Sequence, residues 1–205
     1  MRMYTFALRN GKEILRDPMT LAFGLGFPLV LLFLLSAIQA SIPVPLFQIE
    51  HLAPGISVFG LSFMTLFSAT IVSKDRSSAF LQRLYTTPMT PADFILGYTL
   101  PMLPMAVLQS AICYLAAMLL GLPCTVNVLY VLLFHIPSSV FFIALGLLFG
   151  SVLGDKQVGG ICGALLTNLC AWLSGTWFDL SLVGGAFEKI AGALPFLHAV
   201  EMERA

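Results

Sequence analysis

The sequence predicts an all-α membrane protein, a polytopic bundle of transmembrane helices. Of the 205 residues, 59% are hydrophobic and only 10% are charged, whereas a soluble domain carries about 25% charged residues. The mean hydropathy is +0.95, and several apolar runs reach the ~20 residues that a helix needs to cross a bilayer. We therefore predict a single transmembrane domain over residues 1–205, with five spans, an N-terminal interfacial helix and one short cytoplasmic helix.

Residues 1–16 have the pattern of an amphipathic helix that lies in the membrane interface. Tyr4, Leu8 and Leu15 share one face at helical spacing, and four cations lie near another face. These cations are Arg2, Arg9, Lys12 and Arg16. Such a helix keeps its charges at the level of the headgroups while its apolar side chains enter the acyl region. A solvated basic tail is the alternative interpretation.

The spans are predicted from apolar runs that turn residues separate. Asp17 is placed to cap the first span and Pro18 to occupy its first turn. The five spans are predicted over residues 19–39, 54–73, 94–120, 127–153 and 158–178. The remaining segment, residues 179–205, carries several charged residues, so we expect it to lie at the outer surface without crossing.

The distribution of lysine and arginine predicts the orientation of the bundle. With the N-terminus in the cytoplasm, eight of the ten cations lie in cytoplasmic segments, and the two short outer loops carry none. The eight are Arg2, Arg9, Lys12, Arg16, Lys74, Arg76, Arg83 and Lys156. The positive-inside rule therefore predicts a cytoplasmic N-terminus. The apolar spans make the lipid membrane an expected partner. Because the formal net charge is zero, no bulk attraction to nucleic acid is expected, and we predict no nucleic-acid partner.

A polar insert, SKDRSSAFLQRLYTTPMTPAD, separates the second and third spans. Its Lys74, Asp75, Arg76 and Arg83 would each cost about 2.5–3.5 kcal/mol in the middle of a membrane, so the insert lies outside the hydrocarbon. Within residues 74–90, apolar side chains recur at helical spacing, which predicts a short amphipathic helix. A helix that is fastened between two spans transmits a push to both of them.

In the segment from residue 52 to residue 101, an apolar second span is followed by a charged turn, by the pattern L-x-R-L-x-x-x-P at residues 81–88, and by an apolar stretch with Gly97. This order resembles the core of the type-2 ABC transporter permeases, the membrane subunits of ATP-driven exporters. Residues 173–205 resemble the segment that follows the fifth span in this family, with "SG" at the start and a later "LP".

This resemblance implies that residues 74–90 form a coupling helix that docks on a separate ATP-binding subunit. The implied contact residues are Asp75, Arg76, Phe80, Leu81, Arg83, Leu84 and Tyr85. It also implies outer re-entrant helices within residues 179–205, a second permease copy in a homo- or heterodimer, and a place in the plasma (inner) membrane. The family has six spans and we count five, so we expect a truncated or divergent form.

The source of energy is expected to lie outside this chain. No Asp, Glu, Lys or Arg lies in the middle of a predicted span, whereas ion-coupled carriers use such groups as relays. The chain has no GxxxxGK[ST] motif, so ATP and Mg are expected on the partner subunit and no cofactor is expected here. A membrane-embedded enzyme would need clustered catalytic side chains, and His135 with Ser138 or Ser139 is the one candidate for such a cluster in the sequence. No carboxylate is expected to orient this histidine. A hydrogen bond to a neighbouring helix is the favoured interpretation of this histidine.

Apolar and hydroxyl side chains of the second span are candidates for a substrate path. They are Phe59, Ser62, Phe63, Thr65, Phe67 and Thr70. Such a lining favours export of an amphipathic drug, a lipid or a glycan-type molecule, while a non-transporting scaffold or a secondary carrier is the alternative function. Gly146, Gly150 and Gly154 repeat at the GxxxG interval, which predicts close packing of the fourth span against the fifth.

Overall fold

The computed structural model describes residues 2–44, 46–178, 180 and 183–204, and this part of the chain folds into helices without any strand. Helix α1 covers Arg2–Arg16, and the first span, α2, covers Pro18–Ser41. Asp17 separates them as a helix cap, because its side chain accepts hydrogen bonds from the Met19 amide (3.1 Å) and the Thr20 hydroxyl (2.7 Å). Within α2, Ala22–Gly26 forms a widened π-helical turn.

The second span, α3, covers Ile49–Ser77 and is the central helix of the bundle. Of its most apolar stretch, 89% is buried, against 17% for α2. The third span, α5, covers Pro91–Leu119, and the fourth, α6, covers Asn127–Val152. Within the described residues, α2, α3, α5 and α6 are long and apolar enough to cross a membrane.

The segment between α3 and α5 is more divided than predicted. The second span continues as far as Ser77, and the extended backbone of Ser78 then separates it from a short helix α4, Ala79–Tyr85. Ser78 caps α4 by accepting a hydrogen bond from the Phe80 amide (3.3 Å). Thus the predicted helix over residues 74–90 is the end of α3 followed by a shorter α4, because a serine cap interrupts the helical pattern.

A helix labelled α7, residues 155–173, lies where the fifth span was predicted. It begins with Asp155 and Lys156, contains a π-helical segment over Gly159–Leu166, and ends before Gly175, whose φ is +69°. It is not one of the four helices that meet the length and hydropathy of a membrane span. A fifth crossing therefore stays a prediction.

Glycines bring α6 close to α3, which differs from the predicted pairing of the fourth and fifth spans. A Cβ atom on Gly146 would lie 2.5 Å from the carbonyl oxygen of Thr65, and one on Gly150 would lie 2.6 Å from that of Ala69. The Thr65 hydroxyl also donates to the carbonyl of Phe142 (2.8 Å). The prediction of the partner was wrong because α3, as the central helix, occupies the place that we assigned to the fifth span.

The C-terminal segment folds back into the bundle. It contains α8, Gly185–Gly192, and α9, Pro195–Arg204, while residues 179, 181, 182 and 205 of the predicted tail lie outside the described residues. The Phe196 ring lies 5.8 Å from that of Phe142 near the middle of α6. Arg204 donates to the carbonyl of His51 (3.0 Å), in the first turn of α3. Helix α9 therefore runs from the interior of the bundle towards the end where α3 begins.

Candidate coupling site and two buried carboxylate clusters

A buried carboxylate joins α1, α3 and α5 where α3 ends. Asp75, in the last turn of α3, is only 3% exposed. The Arg9 guanidinium of α1 donates to both of its oxygens (2.8 and 3.0 Å), and the Tyr98 hydroxyl of α5 donates to Oδ2 (2.8 Å). We call Arg9, Asp75 and Tyr98 the Asp75 cluster. Because the guanidinium is planar, this two-oxygen contact fixes the orientation of α1 as well as its position.

Aromatic rings attach α4 to the same place. The Phe6 ring of α1 lies 6.2 Å from the ring of Phe80 in α4, and 6.1 and 4.9 Å from those of Phe94 and Tyr98 in α5. The Arg9 guanidinium lies 4.4 Å from the centre of the Phe80 ring, within the range of a cation–π contact. Helices α1 and α4 and the first turns of α5 therefore form one connected joint.

The seven predicted coupling residues divide between this joint and the surface. Arg76, Arg83 and Tyr85 are exposed, and Phe80 and Leu84 are half-buried. Leu81 is only 6% exposed, like the buried Asp75. The prediction that all seven meet a partner is corrected for Asp75 and Leu81, because the apolar face of α4 turns towards the bundle and the carboxylate is occupied. Arg76 donates to backbone carbonyls of Ser151 and Leu153 at the end of α6.

The exposed part of α4 is a small polar and aromatic surface. We call Gln82, Arg83 and Tyr85 the α4 surface; the Tyr85 side chain is 74% exposed. Five residues after α4, the first turn of α5 is held by a capping box, in which Thr90 and Asp93 exchange hydrogen bonds between side chain and backbone (3.0 and 3.2 Å). Side-chain as well as backbone hydrogen bonds therefore fix the start of α5.

The predicted path residues of α3 lie on two different faces. Phe59, Phe63 and Phe67 are spaced by four residues and share one face with Thr70, whereas Thr65 lies opposite, against α6. Ser62 and Thr65 are fully buried and donate to backbone carbonyls of Phe59 and Phe142. A single path lined by all six residues is therefore corrected for Ser62 and Thr65, because Thr65 faces α6 and both hydroxyls are buried and donate to backbone carbonyls.

The phenylalanine face of α3 is covered by other aromatic rings. The Phe63 ring lies 5.5 Å from that of Phe27 in α2, and the Phe59 ring lies 5.8 Å from that of Trp177. Thr70 is half-buried and borders a cleft between α1, α2 and α3. Of the predicted path residues, the three phenylalanines and Thr70 therefore lie together on one face of α3, next to this cleft.

A second buried carboxylate lies at the opposite end of the bundle. Glu203 of α9 is 3% exposed. The imidazole Nδ1–H of His135 in α6 donates to its Oε1 (2.6 Å), and the Tyr114 hydroxyl of α5 donates to Oε2 (3.1 Å). Ser57 of α3 lies 3.4 Å from the same imidazole nitrogen. We call Ser57, Tyr114, His135 and Glu203 the Glu203 cluster, which joins four helices.

This cluster confirms one expectation about His135 and overturns another. The histidine is hydrogen-bonded to a neighbouring helix, as predicted, but a carboxylate does orient it, which we had excluded. The missed signal lies in α9, where Phe196, Ala199, Val200 and Glu203 follow the spacing of one buried face. Sequence reasoning assigned Glu203 to the surface because it is charged, although it continues an apolar stripe.

The Glu203 cluster does not have the arrangement of a catalytic site. The Ser139 hydroxyl donates to the backbone carbonyl of His135 (2.7 Å) instead of to its ring. The Nε2 atom of His135 has no hydrogen-bond partner among the described residues. In that same part of the chain, no group of three or more His, Cys, Asp or Glu side chains could hold a metal ion. The geometry is that of a structural link between helices.

Comparison with known proteins connects this architecture to a family. The model of the family described as "ABC-2 type transporter" matches residues 2–205. No curated protein and no solved structure matches the chain. The match covers every helix from α1 to α9, including the helices that meet at Asp75 and the C-terminal helix α9, which folds back into the bundle. The chain therefore belongs to the ABC-2 type transporter family, as a multi-pass membrane subunit that is not itself catalytic.

Proposed function

We propose that the chain is the permease subunit of an ATP-driven exporter that moves an amphipathic drug, lipid or glycan-type molecule across the plasma membrane. One observation carries this proposal. The α4 surface is exposed, while the opposite face of the same helix is attached to α1, α3 and α5 through Phe80 and the Asp75 cluster. A helix with a free outer face and a firmly attached inner face is suited to transmit force from a partner into a bundle.

The proposed partner is an ATP-binding subunit that holds ATP and Mg and docks on the α4 surface. When it closes on ATP, it pushes α4 against Phe6 and Arg9, so that α1 and the adjoining ends of α3 and α5 move together. Because α3 is closely packed on α6 at Gly146 and Gly150, the two helices move as a unit. Alternating access between two permease copies is the expected result.

The charge distribution supports a cytoplasmic position for α4. Arg9, Lys74 and Arg83 all belong to the end of the bundle that carries α1 and α4. Lysine and arginine accumulate on the cytoplasmic side of membrane proteins. We therefore place the N-terminus and the α4 surface in the cytoplasm, where an ATP-binding subunit has access to its nucleotide.

The test is co-purification with a candidate ATP-binding subunit that is co-expressed with this chain. Phe80 and Leu84 contact the bundle, so their substitution would disturb the fold together with any docking. We choose the exposed pair Arg83→Glu with Tyr85→Ala, which should reduce recovery of the ATPase at least about tenfold, because loss of an interface anchor costs about 2 kcal/mol or more.

The matched control is Lys189→Glu with Tyr130→Ala. Both residues are exposed, and they lie in α8 and at the start of α6, away from α4. This variant should recover the ATPase like the unchanged chain. Equal recovery of the ATPase by both double variants would refute docking on the α4 surface.

A secondary carrier is the second candidate function, and the buried pair of His135 and Glu203 is the observation that favours it. Ionisable groups inside a bundle are characteristic of proton or ion coupling. The two functions differ in their energy source. Replacing the P-loop lysine of the partner ATPase should abolish transport by an ATP-driven exporter, whereas transport that continues would favour the carrier.

A further inference from the structure

A cleft with a basic rim lies between α1, α2 and the end of α3. Its volume is about 870 Å³, within the ~300–1,000 Å³ of small-molecule sites. Its lining has four cations and two carboxylates, so positive charge is in excess. The charged residues are Arg9, Lys12, Glu13, Arg16, Asp17 and Lys74. Phe67 and Ile71 of α3, with Ile14 of α1, form an apolar floor.

Some of these charges are already engaged and others are not. Arg9 is paired with Asp75 and with Glu13 (2.8 Å to each). Asp17 caps α2, and the hydrogen bond from the Thr20 hydroxyl lowers its pKa, with a smaller contribution from the charge of Lys74. Lys12, Arg16 and Lys74 form no ion pair within the described part of the chain and are exposed. The cleft therefore offers three cations to an outside anion.

An apolar groove adjoins this cleft. It has a volume of about 630 Å³ and runs between α1, α2 and α5. Leu8, Lys12 and Ile14 border both cavities, so the two are neighbours on either side of α1. The rest of the groove is lined mainly by apolar side chains, including Leu25, Pro104 and Leu108. A basic cleft beside an apolar groove matches a molecule that has a charged head and a hydrocarbon chain.

We propose that this cleft binds the anionic headgroup of an amphiphile whose hydrocarbon chain lies in the adjoining groove. Lys12 and Lys74 attract the headgroup, and Arg16 donates to its oxygens. The long stems of the lysines lie along apolar surface while their ammonium groups reach the anion. The occupant is either an anionic phospholipid of the surrounding leaflet or an anionic single-chain amphiphile, since both present an anionic headgroup to the cleft and a hydrocarbon chain to the groove.

The test uses the full chain in phosphatidylcholine vesicles that contain an increasing fraction of phosphatidylglycerol. Native mass spectrometry of the released protein counts the phosphatidylglycerol that each chain retains and gives an apparent affinity. Lys12→Gln with Lys74→Gln should weaken that affinity about thirtyfold, since each basic residue near a membrane surface contributes about fivefold. Both side chains are exposed, so the fold should tolerate the change.

The matched control, Lys156→Gln with Lys189→Gln, removes the same charge from exposed positions outside the cleft and should retain lipid normally. Equal retention by the two double variants would overturn the proposal. The assay contains no ATPase, so its result is independent of the docking and transport proposed above.

Competition distinguishes the two sources of the amphiphile. Dodecyl phosphate and inorganic phosphate are added separately at equal concentration. Retention of phosphatidylglycerol that only dodecyl phosphate displaces identifies a leaflet lipid as an occupant. Binding of dodecyl phosphate without retention of phosphatidylglycerol identifies a single-chain amphiphile. If inorganic phosphate displaces phosphatidylglycerol as well as dodecyl phosphate does, the groove has no role in binding. If the chain retains neither amphiphile, the site is overturned.

Discussion

The two carboxylate clusters at opposite ends of the bundle use the same parts in different surroundings. In each, a carboxylate accepts one hydrogen bond from a tyrosine and another contact from a basic side chain on a different helix. In each, a short helix is attached to the spans: α1 by the Asp75 cluster and α9 by the Glu203 cluster. The side chain of Arg9 remains 37% exposed, whereas those of His135 and Glu203 are 0% exposed.

This difference in exposure indicates which end can move. Water reaches the partly exposed Arg9, so displacing the Asp75 cluster as a unit costs less free energy than opening a cluster whose ionisable side chains are all fully buried, although Asp75 itself is buried. Opening the Glu203 cluster leaves buried polar groups without hydrogen-bond partners, which costs more free energy. We therefore expect the α9 end to act as the fixed part and the α1 end, where α4 is attached, as the part that shifts.

The largest expected effect breaks the fixed end. Replacing Glu203→Ala leaves His135 and Tyr114 without their buried partner and should reduce the free energy of unfolding by about 3–5 kcal/mol. Glu201→Ala is the matched control, because Glu201 belongs to the same helix but its side chain is 57% exposed beside His198. Its loss should cost less than about 1 kcal/mol. Denaturant unfolding in detergent measures both, and equal midpoints would contradict the assignment of α9 as the fixed part.

Local and long-range features differ in how far the sequence could predict them. The cap at Asp17, the capping box of Thr90 and Asp93, and the existence of α4 were predictable because each depends on residues within a few positions. The pairing of His135 with Glu203 joins residues 68 positions apart, and no local pattern specifies such a contact. The same holds for Gly146, where the GxxxG interval predicts close packing and tertiary structure decides that α3 is the neighbour.

The candidate coupling site shows the same division. Amphipathic spacing placed a short helix near Arg83 and Tyr85, and both are exposed in the structure. It could not distinguish Asp75 from these residues, since a charged residue at a span end usually faces water. Only the contacts from Arg9 and Tyr98, on two other helices, account for its burial. Site residues were therefore predictable where exposure to solvent follows from the local helical pattern. They were not predictable where contacts from a residue distant in the sequence bury the side chain.

An intermediate effect compares the two clusters directly by removing one hydroxyl from each. Tyr114→Phe leaves Glu203 with His135 as its remaining partner in α6, and should cost about 1.5–3 kcal/mol of unfolding free energy. Tyr98→Phe leaves Asp75 with both hydrogen bonds from Arg9, so about 0.5–1.5 kcal/mol is expected. Each variant is the control of the other in the same denaturant titration. A larger loss for Tyr98→Phe would reverse the proposed order of the two ends.

The smallest effect concerns the cation of the movable end. Replacing Arg9→Lys keeps the charge but loses the planar group that contacts both oxygens of Asp75 and lies over Phe80. Because this side chain is 37% exposed, we expect only about 0.5–1 kcal/mol in global stability. Hydrogen exchange of the α1 amides should nevertheless become clearly faster, since local opening of α1 needs less free energy than unfolding. Arg16→Lys, in the same helix and without an ion pair within the described residues, should leave that exchange unchanged. Unaltered exchange in both variants would mean that the aromatic contacts of Phe6, and not the Asp75 cluster, hold α1 on the bundle.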